Sequence, residues 1–167
     1  MSEIGDRLAP VKLPESTEWA LHTTASLAQL GPGATVSAAQ LAEHYDLPAA
    51  YLAKQLQALV RAGVLAATTG PRGGFRLARP AREITMLQVV EAVDGTSPFY
   101  TCNEIRQRGR GAVPPEECRT TCGLAAQMAQ AEAAWRQSLG AVTIADIVAS
   151  LPRGIPERTQ ALLARPR

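Results

Sequence analysis

The sequence lacks the features of a membrane protein and of a secreted protein. It has no run of about 18 apolar residues, so it predicts no membrane-spanning helix. The first ten residues include acidic side chains and have no apolar core, so we predict no signal peptide and expect the chain to stay in the cytoplasm. Aromatic residues make up only 4% of the chain while alanine is frequent, which favours helices packed through small side chains.

Cysteine is also scarce, and its number is odd. The three cysteines are Cys102, Cys118 and Cys122. An odd count in a reducing compartment argues against a framework of structural disulfides. The cysteines therefore indicate metal, cluster or redox chemistry.

Sequence motifs for catalysis are missing. The chain has no phosphate-binding glycine loop, no nucleophile–base pair at a recognisable spacing and no metal-hydrolase motif. We therefore predict a protein that is not an enzyme.

The charge of the chain is unevenly distributed, although the total is only +2. Residues 47–82 contain six basic side chains and no acidic one, so the remaining residues carry a net charge of −4. A purely basic segment indicates a nucleic-acid surface, and a solvated basic face is the alternative. The six residues are Lys54, Arg61, Arg72, Arg76, Arg79 and Arg82.

Apolar periodicity, capping signals and glycine stops predict the order helix, helix, turn, helix, hairpin, helix. Ser37 with Gln40, and Thr85 with Gln88, have the spacing of capping boxes. This order indicates a mainly α fold, a winged helix-turn-helix with a long C-terminal dimerisation helix. We predict a flexible tail at 1–14, the winged helix at 15–96, a cysteine loop at 97–123, the dimerisation helix and a last short helix at 124–151, and a flexible tail at 152–167.

The long helix carries an apolar seam that is too short to be stable alone, so a partner chain is expected to cover it. The seam residues follow alternating steps of three and four: Leu124, Met128, Ala131, Trp135 and Leu139.

The second helix of a helix-turn-helix enters the major groove of DNA, and the wing approaches the neighbouring backbone or minor groove. Double-stranded DNA is therefore the predicted partner. We predict DNA contacts from Tyr51, Lys54 and Gln55 on that helix, from Arg72 at the tip of the wing, and from Arg76 and Arg79, which are expected to meet phosphates.

Three segments carry a specific resemblance: residues 69–78 with the sequence TGPRGGFRLA, the helix from Ile84 to Gly95, and residues 143–147. In these segments the chain resembles the Rrf-type family of winged-helix regulators, some of which sense through iron–sulfur clusters. The similarity extends from Leu13 to Leu151. It implies a homodimer on a palindromic operator, with the long helix crossing to the partner.

The string Glu18-Trp19-Ala20-Leu21-His22 is most similar to the redox-sensing RsrR branch of that family. The resemblance implies a 2Fe–2S cluster held by Cys102 and Cys122 of one subunit and by Glu18 and His22 of the other. Cys118 is the alternative to Cys122, and Trp19 is a candidate for coupling the cluster to the DNA-binding helices. The implied function is a repressor whose operator affinity follows the redox state of the cluster.

Other interpretations of these residues remain open. A Glu–His pair on a helix surface is often only solvated, and three cysteines with a distant histidine could hold zinc. Cys118 and Cys122 could instead form a thiol switch. A regulator that senses nitric oxide, cluster status or oxidants, through another cluster type or direct cysteine oxidation, is the alternative function.

Overall fold

The hydrophobic core of the chain lies between its helices and a short hairpin. The computed structural model describes residues 13–31, 33–70 and 73–163. Three helices come first, an antiparallel pair of strands follows, and four helices complete the described chain. The elements are α1 (Glu15–Ala28), α2 (Ala38–Tyr45), α3 (Ala49–Arg61), β1 (Leu65–Thr68), β2 (Gly74–Leu77), α4 (Met86–Asp94), α5 (Gly123–Gly140), α6 (Ile144–Ala149) and α7 (Ile155–Leu163).

Three of the helices begin with a reciprocal capping box. At the start of α2 the backbone N–H of Gln40 donates to Ser37 Oγ over 3.2 Å, and the backbone N–H of Ser37 donates to Gln40 Oε1 over 3.0 Å. The same arrangement begins α4 at Thr85–Gln88 and α6 at Thr143–Asp146. Each box satisfies backbone donors that the first turn of a helix leaves unpaired, so these sequences fix where the helices start.

The predicted hairpin is present, and a glycine lets a third segment approach it. β1 and β2 pair with Leu65 opposite Leu77 and Thr68 opposite Gly74. The N–H groups of Phe75 and Val36 each donate to the carbonyl of the other residue, over 2.8 and 3.0 Å. A Cβ at Gly74 would lie 2.6 Å from the Val36 carbonyl oxygen, so only glycine permits this approach.

Helix α3 supplies the centre of the core. Leu52, Leu56 and Leu59 are fully buried. Burying one leucine side chain contributes about 1.5–3 kcal/mol, so these three side chains are a large part of the stability of the domain. Their fully buried apolar neighbours come from other elements and their flanks: Ala20, Val36, Leu41, Val64, Ile84 and Val89. This arrangement confirms the predicted fold class, a mainly α winged helix-turn-helix.

The long helix α5 is anchored to the core at its C-terminal end only. Arg136 pairs with Glu91 of α4. After α5 the chain returns to the core, where the N–H of Ile144 donates to Ile84 O over 2.8 Å and the N–H of Met86 donates to Val142 O over 2.9 Å. None of the α5 side chains is buried in the single chain.

The apolar seam predicted on α5 is therefore only partly free. Trp135 contacts Phe99 edge to face within the same chain, with ring centroids 4.6 Å apart. Leu124 and Met128 are 72% and 41% exposed. The part of the seam that a partner could cover is thus its N-terminal half.

The structure differs from the prediction that residues 152–167 form a flexible tail, because Ile155–Leu163 is helix α7. Pro156 lies in its first turn, where the missing N–H of proline costs nothing. Thr159 and Leu163 are buried, and the Gln160 side-chain amide donates to Gln29 O at the end of α1 over 2.6 Å. Tertiary contacts thus order a segment whose composition is typical of a loop.

Candidate DNA-binding surface and cysteine loop

A left-handed residue creates the turn between α2 and α3. Asp46 has φ 52° and ψ 49°, and its backbone N–H remains bonded to the last turn of α2. The N–H of Leu47 then donates to Ala42 O over 2.9 Å, which closes the turn. Pro48 is the N-cap of α3, with φ −59° and ψ 126°.

One face of α3 is exposed and carries two of the predicted DNA contacts. Tyr51 and Lys54 are exposed on it, together with Gln57 and Arg61. Lys54 and Arg61 are cations, while Tyr51 and Gln57 can exchange hydrogen bonds with base edges or phosphates. The exposed face of α3 is therefore chemically suited to a DNA groove.

The prediction that Gln55 contacts DNA is wrong, because Gln55 is only 7% exposed. It belongs to the stripe Leu52, Gln55, Leu56, Leu59, which repeats at i, i+3, i+4 and i+7 and faces the core. The position of Gln55 within the helical spacing of the three leucines is enough to predict that it faces the core.

Two of the predicted DNA contacts, Arg76 and Arg72, belong to the hairpin. Arg76 is exposed on β2, where its side chain donates to the carbonyl of Leu77 over 3.3 Å, and it remains accessible to DNA. Arg72, the predicted contact at the tip of the wing, lies outside the described residues.

Arg79 was expected to meet phosphates, but its guanidinium is already engaged within the chain. It donates to Gly63 O over 3.3 Å, to Glu83 O over 2.8 Å and to Gln88 Oε1 over 3.2 Å. The side chain thus joins the end of α3, the turn before α4 and α4 itself, and its contact with phosphates stays a prediction.

The cysteine loop, residues 97–123, has no buried residue. It contains three short 3₁₀ turns, Ile105–Gln107, Gly109–Gly111 and Pro115–Cys118. An ion pair lies at its centre: Arg106 donates to both carboxylate oxygens of Glu104, over 2.5 and 2.7 Å, and to Thr120 O over 3.2 Å. The guanidinium also holds the pKa of Glu104 below its usual range. Hydrogen bonds rather than apolar packing therefore shape the loop.

Two of the cysteines share one cavity. Cys102 is exposed and Cys122 is half-buried, and both line a cavity of about 230 Å³. Charged side chains from the same loop surround them. The charged lining residues are Glu104, Arg106 and Arg108.

The environments of Cys118 and Cys122 differ. Cys122 is the N-cap of α5, and the backbone N–H groups of Ala125 and Leu124 lower the pKa of its thiol, with a smaller contribution from Arg106. Cys118 does not line the shared cavity, and its thiol makes a small contribution to the lowered pKa of Glu104. The arrangement favours Cys122 over Cys118 as the thiolate that acts with Cys102.

The Glu–His pair of α1 lies apart from the cysteines within one chain. Glu18 and His22 are both exposed, one turn apart. In the described ranges no three histidine, cysteine, aspartate or glutamate side chains come close enough to hold a metal ion. One chain by itself therefore presents two separate pairs of candidate ligands.

Trp19, beside Glu18, connects α1 to the helix-turn-helix. Its indole ring lies 5.5 Å from the ring of Tyr45, the last residue of α2, and its Nε1 donates to Glu15 Oε1 over 3.3 Å. The hydroxyl of Tyr45 is in turn hydrogen-bonded to Ser26 Oγ over 2.8 Å. Direct contacts of Trp19 and Ser26 with Tyr45 therefore join α1 to the end of α2.

Comparison with known proteins identifies the family. The Rrf2 profile, described as an iron-dependent transcriptional regulator, matches residues 13–150. The chain belongs to the Rrf2 family. Regulators of this family bind DNA and are typically dimeric, and the relatives are transcriptional regulators rather than enzymes.

Individual relatives agree with this assignment. The chain is 37% identical over 87 residues to BadM, named as an HTH-type transcriptional regulator, of Rhodopseudomonas palustris; the match covers 52% of this chain and 55% of BadM. It is 39% identical over 71 residues to the regulator IscR of Cereibacter sphaeroides, covering 42% of this chain and 46% of IscR. The matched regions thus span about half of each relative.

A solved structure shows the same fold. The structure of CymR, the global cysteine regulator of B. subtilis, superimposes with a TM-score of 0.64 at 19% identity. It covers 85% of this chain and 99% of CymR. The winged helix-turn-helix described above is therefore the fold of the family. None of the described helices combines the length and apolar character needed to cross a bilayer.

Proposed function

We propose that the chain is a homodimeric repressor whose operator affinity is switched by the redox state of a 2Fe–2S cluster. One observation carries the proposal. Each chain presents two thiols at one cavity and an exposed Glu–His pair on α1, so it holds both halves of a four-ligand set without bringing them together. A second copy can supply the missing half.

The DNA-binding half of the proposal rests on α3 and the hairpin. We assign groove contacts to Tyr51 and Lys54, which lie on the exposed face of α3, and backbone contacts to Arg76. Arg72 is proposed as the contact of the wing tip with the minor groove. A dimer would place two copies of α3 about 34–36 Å apart on successive turns of a palindromic operator.

The proposal of a homodimer rests on α5. An 18-residue helix with no buried residue gains little from its own chain, and Leu124 and Met128 are exposed on one side of it. Covering such side chains contributes about 25 cal/mol for each Å² removed from water, which favours pairing of the two long helices. Pairing there would place the partner subunit beside the cysteine loop, because α5 begins at Cys122.

The donor set fits a cluster better than it fits a structural zinc ion. Cys102 and Cys122 would supply thiolates, and Glu18 and His22 of the partner subunit would complete the ligation. A 2Fe–2S cluster with this mixed ligation is less negative than one with four thiolates, so it accepts an electron more easily and would supply a reversible one-electron couple. Structural zinc sites, in contrast, are typically closed by cysteine and histidine alone.

In this proposal Trp19 couples the cluster ligands on α1 to the DNA-binding helix α3. Glu18 and His22 are on α1, and the neighbouring indole packs against Tyr45 at the turn that orients α3. A shift of α1 on a change of redox state would thus alter the position of α3 and the spacing of the two recognition helices. Operator affinity depends on that spacing, because each half-site fixes one helix.

The test is the visible and electron-paramagnetic-resonance spectrum of protein purified without oxygen, before and after dithionite. We expect a coloured protein that is silent when oxidised and gives one spin per reduced cluster. Cys122→Ser should abolish or change the spectrum, and Cys118→Ser is the matched control that should leave it unchanged. A colourless protein without iron after reconstitution would contradict the proposal, as would a spectrum lost in Cys118→Ser but kept in Cys122→Ser.

A second candidate function is sensing by direct cysteine oxidation. It is favoured by the lowered pKa of Cys122, since the thiolate is the form that oxidants attack. In that case the metal-free protein would lose or gain operator affinity on treatment with peroxide, and Cys122→Ser would not respond. A cluster sensor would show this response only when the cluster is bound.

A further inference from the structure

An ion pair in the cysteine loop has no part in the ligand set proposed above. Glu104 lies two residues after Cys102, and Arg106 follows it within the same turn. The guanidinium of Arg106 reaches across the loop to the carbonyl of Thr120, which lies between Cys118 and Cys122. One side chain thus joins the segment that carries Cys102 to the segment that carries Cys122.

The loop has few other means to hold these segments together. Residues 97–123 include no buried side chain, so no local apolar core fixes their path. The side chains of Arg106 and Glu104 are 29% and 35% exposed, which makes them among the most shielded groups in the loop. The backbone of Arg106 is fixed as well, because the N–H of Val113 donates to its carbonyl over 2.9 Å.

Geometry matters more than charge for this side chain. Arg106 uses Nε and Nη2 on the two oxygens of Glu104, and Nη2 also on Thr120 O, an arrangement that needs the planar fork of a guanidinium. Glu104 carries the opposite charge directly beside Arg106, so the ion pair as a whole is neutral. A lysine at this position would keep the charge and lose the fork.

We propose that Arg106, held by Glu104, is the positioning residue that brings Cys102 and Cys122 to one cavity. This inference rests on the proposed function, because it concerns the same two cysteines. It assigns to Arg106 no contact with a cluster. Its role is to fix the distance between the two thiols before any ligand arrives.

The experiment measures thiol proximity in the full-length, metal-free protein. In a Cys118→Ser background, dibromobimane becomes fluorescent when one molecule alkylates both remaining thiols. We expect Arg106→Gln to slow this cross-linking about fivefold to tenfold, since charge-assisted hydrogen bonds are lost at a partly exposed site. Arg106→Lys should slow cross-linking by a similar factor, and Glu104→Gln should slow it as well.

Arg108→Gln is the matched control. Arg108 lines the same cavity and carries the same charge, but its side chain makes no hydrogen bond within the described ranges. It should cross-link at the parent rate. Far-ultraviolet circular dichroism and the melting temperature should be unchanged in all variants, because the loop buries no residue, and this separates a local effect from unfolding.

The outcomes distinguish this inference from the proposed function. Unchanged cross-linking in Arg106→Gln would overturn the positioning role, and full rescue by Arg106→Lys would replace it with a role for charge alone. If the wild-type protein never binds iron while Arg106→Gln still slows cross-linking, the proposed cluster fails and the positioning role stands. With a cluster present, Arg106→Gln should also lower iron content and change the visible circular dichroism.

Discussion

The winged-helix body and the arm formed by the cysteine loop and α5 are built in opposite ways. The body buries a leucine-rich core and fixes its helix ends with reciprocal caps. The arm, residues 97–140, has no buried side chain; polar contacts such as the ion pairs Glu104–Arg106 and Glu91–Arg136 hold it, together with the ring contact of Phe99 with Trp135. The body buries its core within one chain, whereas the arm leaves Leu124 and Met128 exposed, and the proposed sensing chemistry lies in the arm.

The largest expected effect is the difference in stability lost between a substitution in the body and one in the arm. Leu56→Ala in the body should lower the free energy of unfolding by about 2–5 kcal/mol, because it leaves a cavity in a packed core. Ile105→Ala in the cysteine loop, where the side chain is 76% exposed, should change it by less than about 0.5 kcal/mol. Urea denaturation at fixed protein concentration measures the free energy of unfolding of both variants. Equal losses would contradict the difference in packing between the body and the arm.

The second effect tests whether α5 needs a partner. Leu124→Glu places a charge in the exposed part of the apolar seam and should weaken the dimer by at least about 100-fold, which corresponds to about 2.7 kcal/mol. Gln130→Glu adds the same charge on the opposite face of α5 and should leave the dimer intact. Sedimentation velocity over a range of concentrations distinguishes them; a Leu124→Glu protein that remains dimeric would place the interface elsewhere.

The third effect concerns α7, which adds to the body beyond the part that matches the family. Leu163→Ala should cost about 1.5–3 kcal/mol, because that side chain is only 3% exposed. Leu162→Ala, the adjacent residue at 50% exposure, is the control and should cost much less. If thermal melts show the two variants to be equally stable, α7 does not pack against the body as described.

The smallest effect concerns DNA. Lys54→Ala should weaken binding to duplex DNA and reduce the slope of log affinity against log salt by about 1, since one phosphate contact is lost. Gln55→Ala should leave that slope unchanged, because Gln55 faces the core. Fluorescence anisotropy with a mixed-sequence duplex at several salt concentrations tests both, and a changed slope for Gln55→Ala would show that the helix is rotated.

The body could be predicted from the sequence because its signals are local. The spacing of Ser37 with Gln40 and of Thr85 with Gln88 specifies helix starts, and the glycines around the hairpin specify its turn. Such patterns act within a few residues, so no knowledge of the rest of the fold is needed.

The remaining features depend on contacts between distant residues. Gln55 is buried because a polar residue occupies one position of an apolar stripe, and Arg79 is engaged because three separate segments meet around it. Helix α7 is ordered by packing against residues more than one hundred positions earlier. Residue type suggests exposure in all three cases, and tertiary structure overrides it.

The central claim is that the two halves of the ligand set come from different subunits, and complementation tests it most directly. One chain carries Glu18→Ala and His22→Ala, and the other carries Cys102→Ser and Cys122→Ser. Each homodimer should be without a cluster, while the co-expressed heterodimer, purified through two different tags, should regain one intact site and about half of the wild-type iron and visible absorbance. A heterodimer as iron-free as both homodimers would contradict ligation across the dimer.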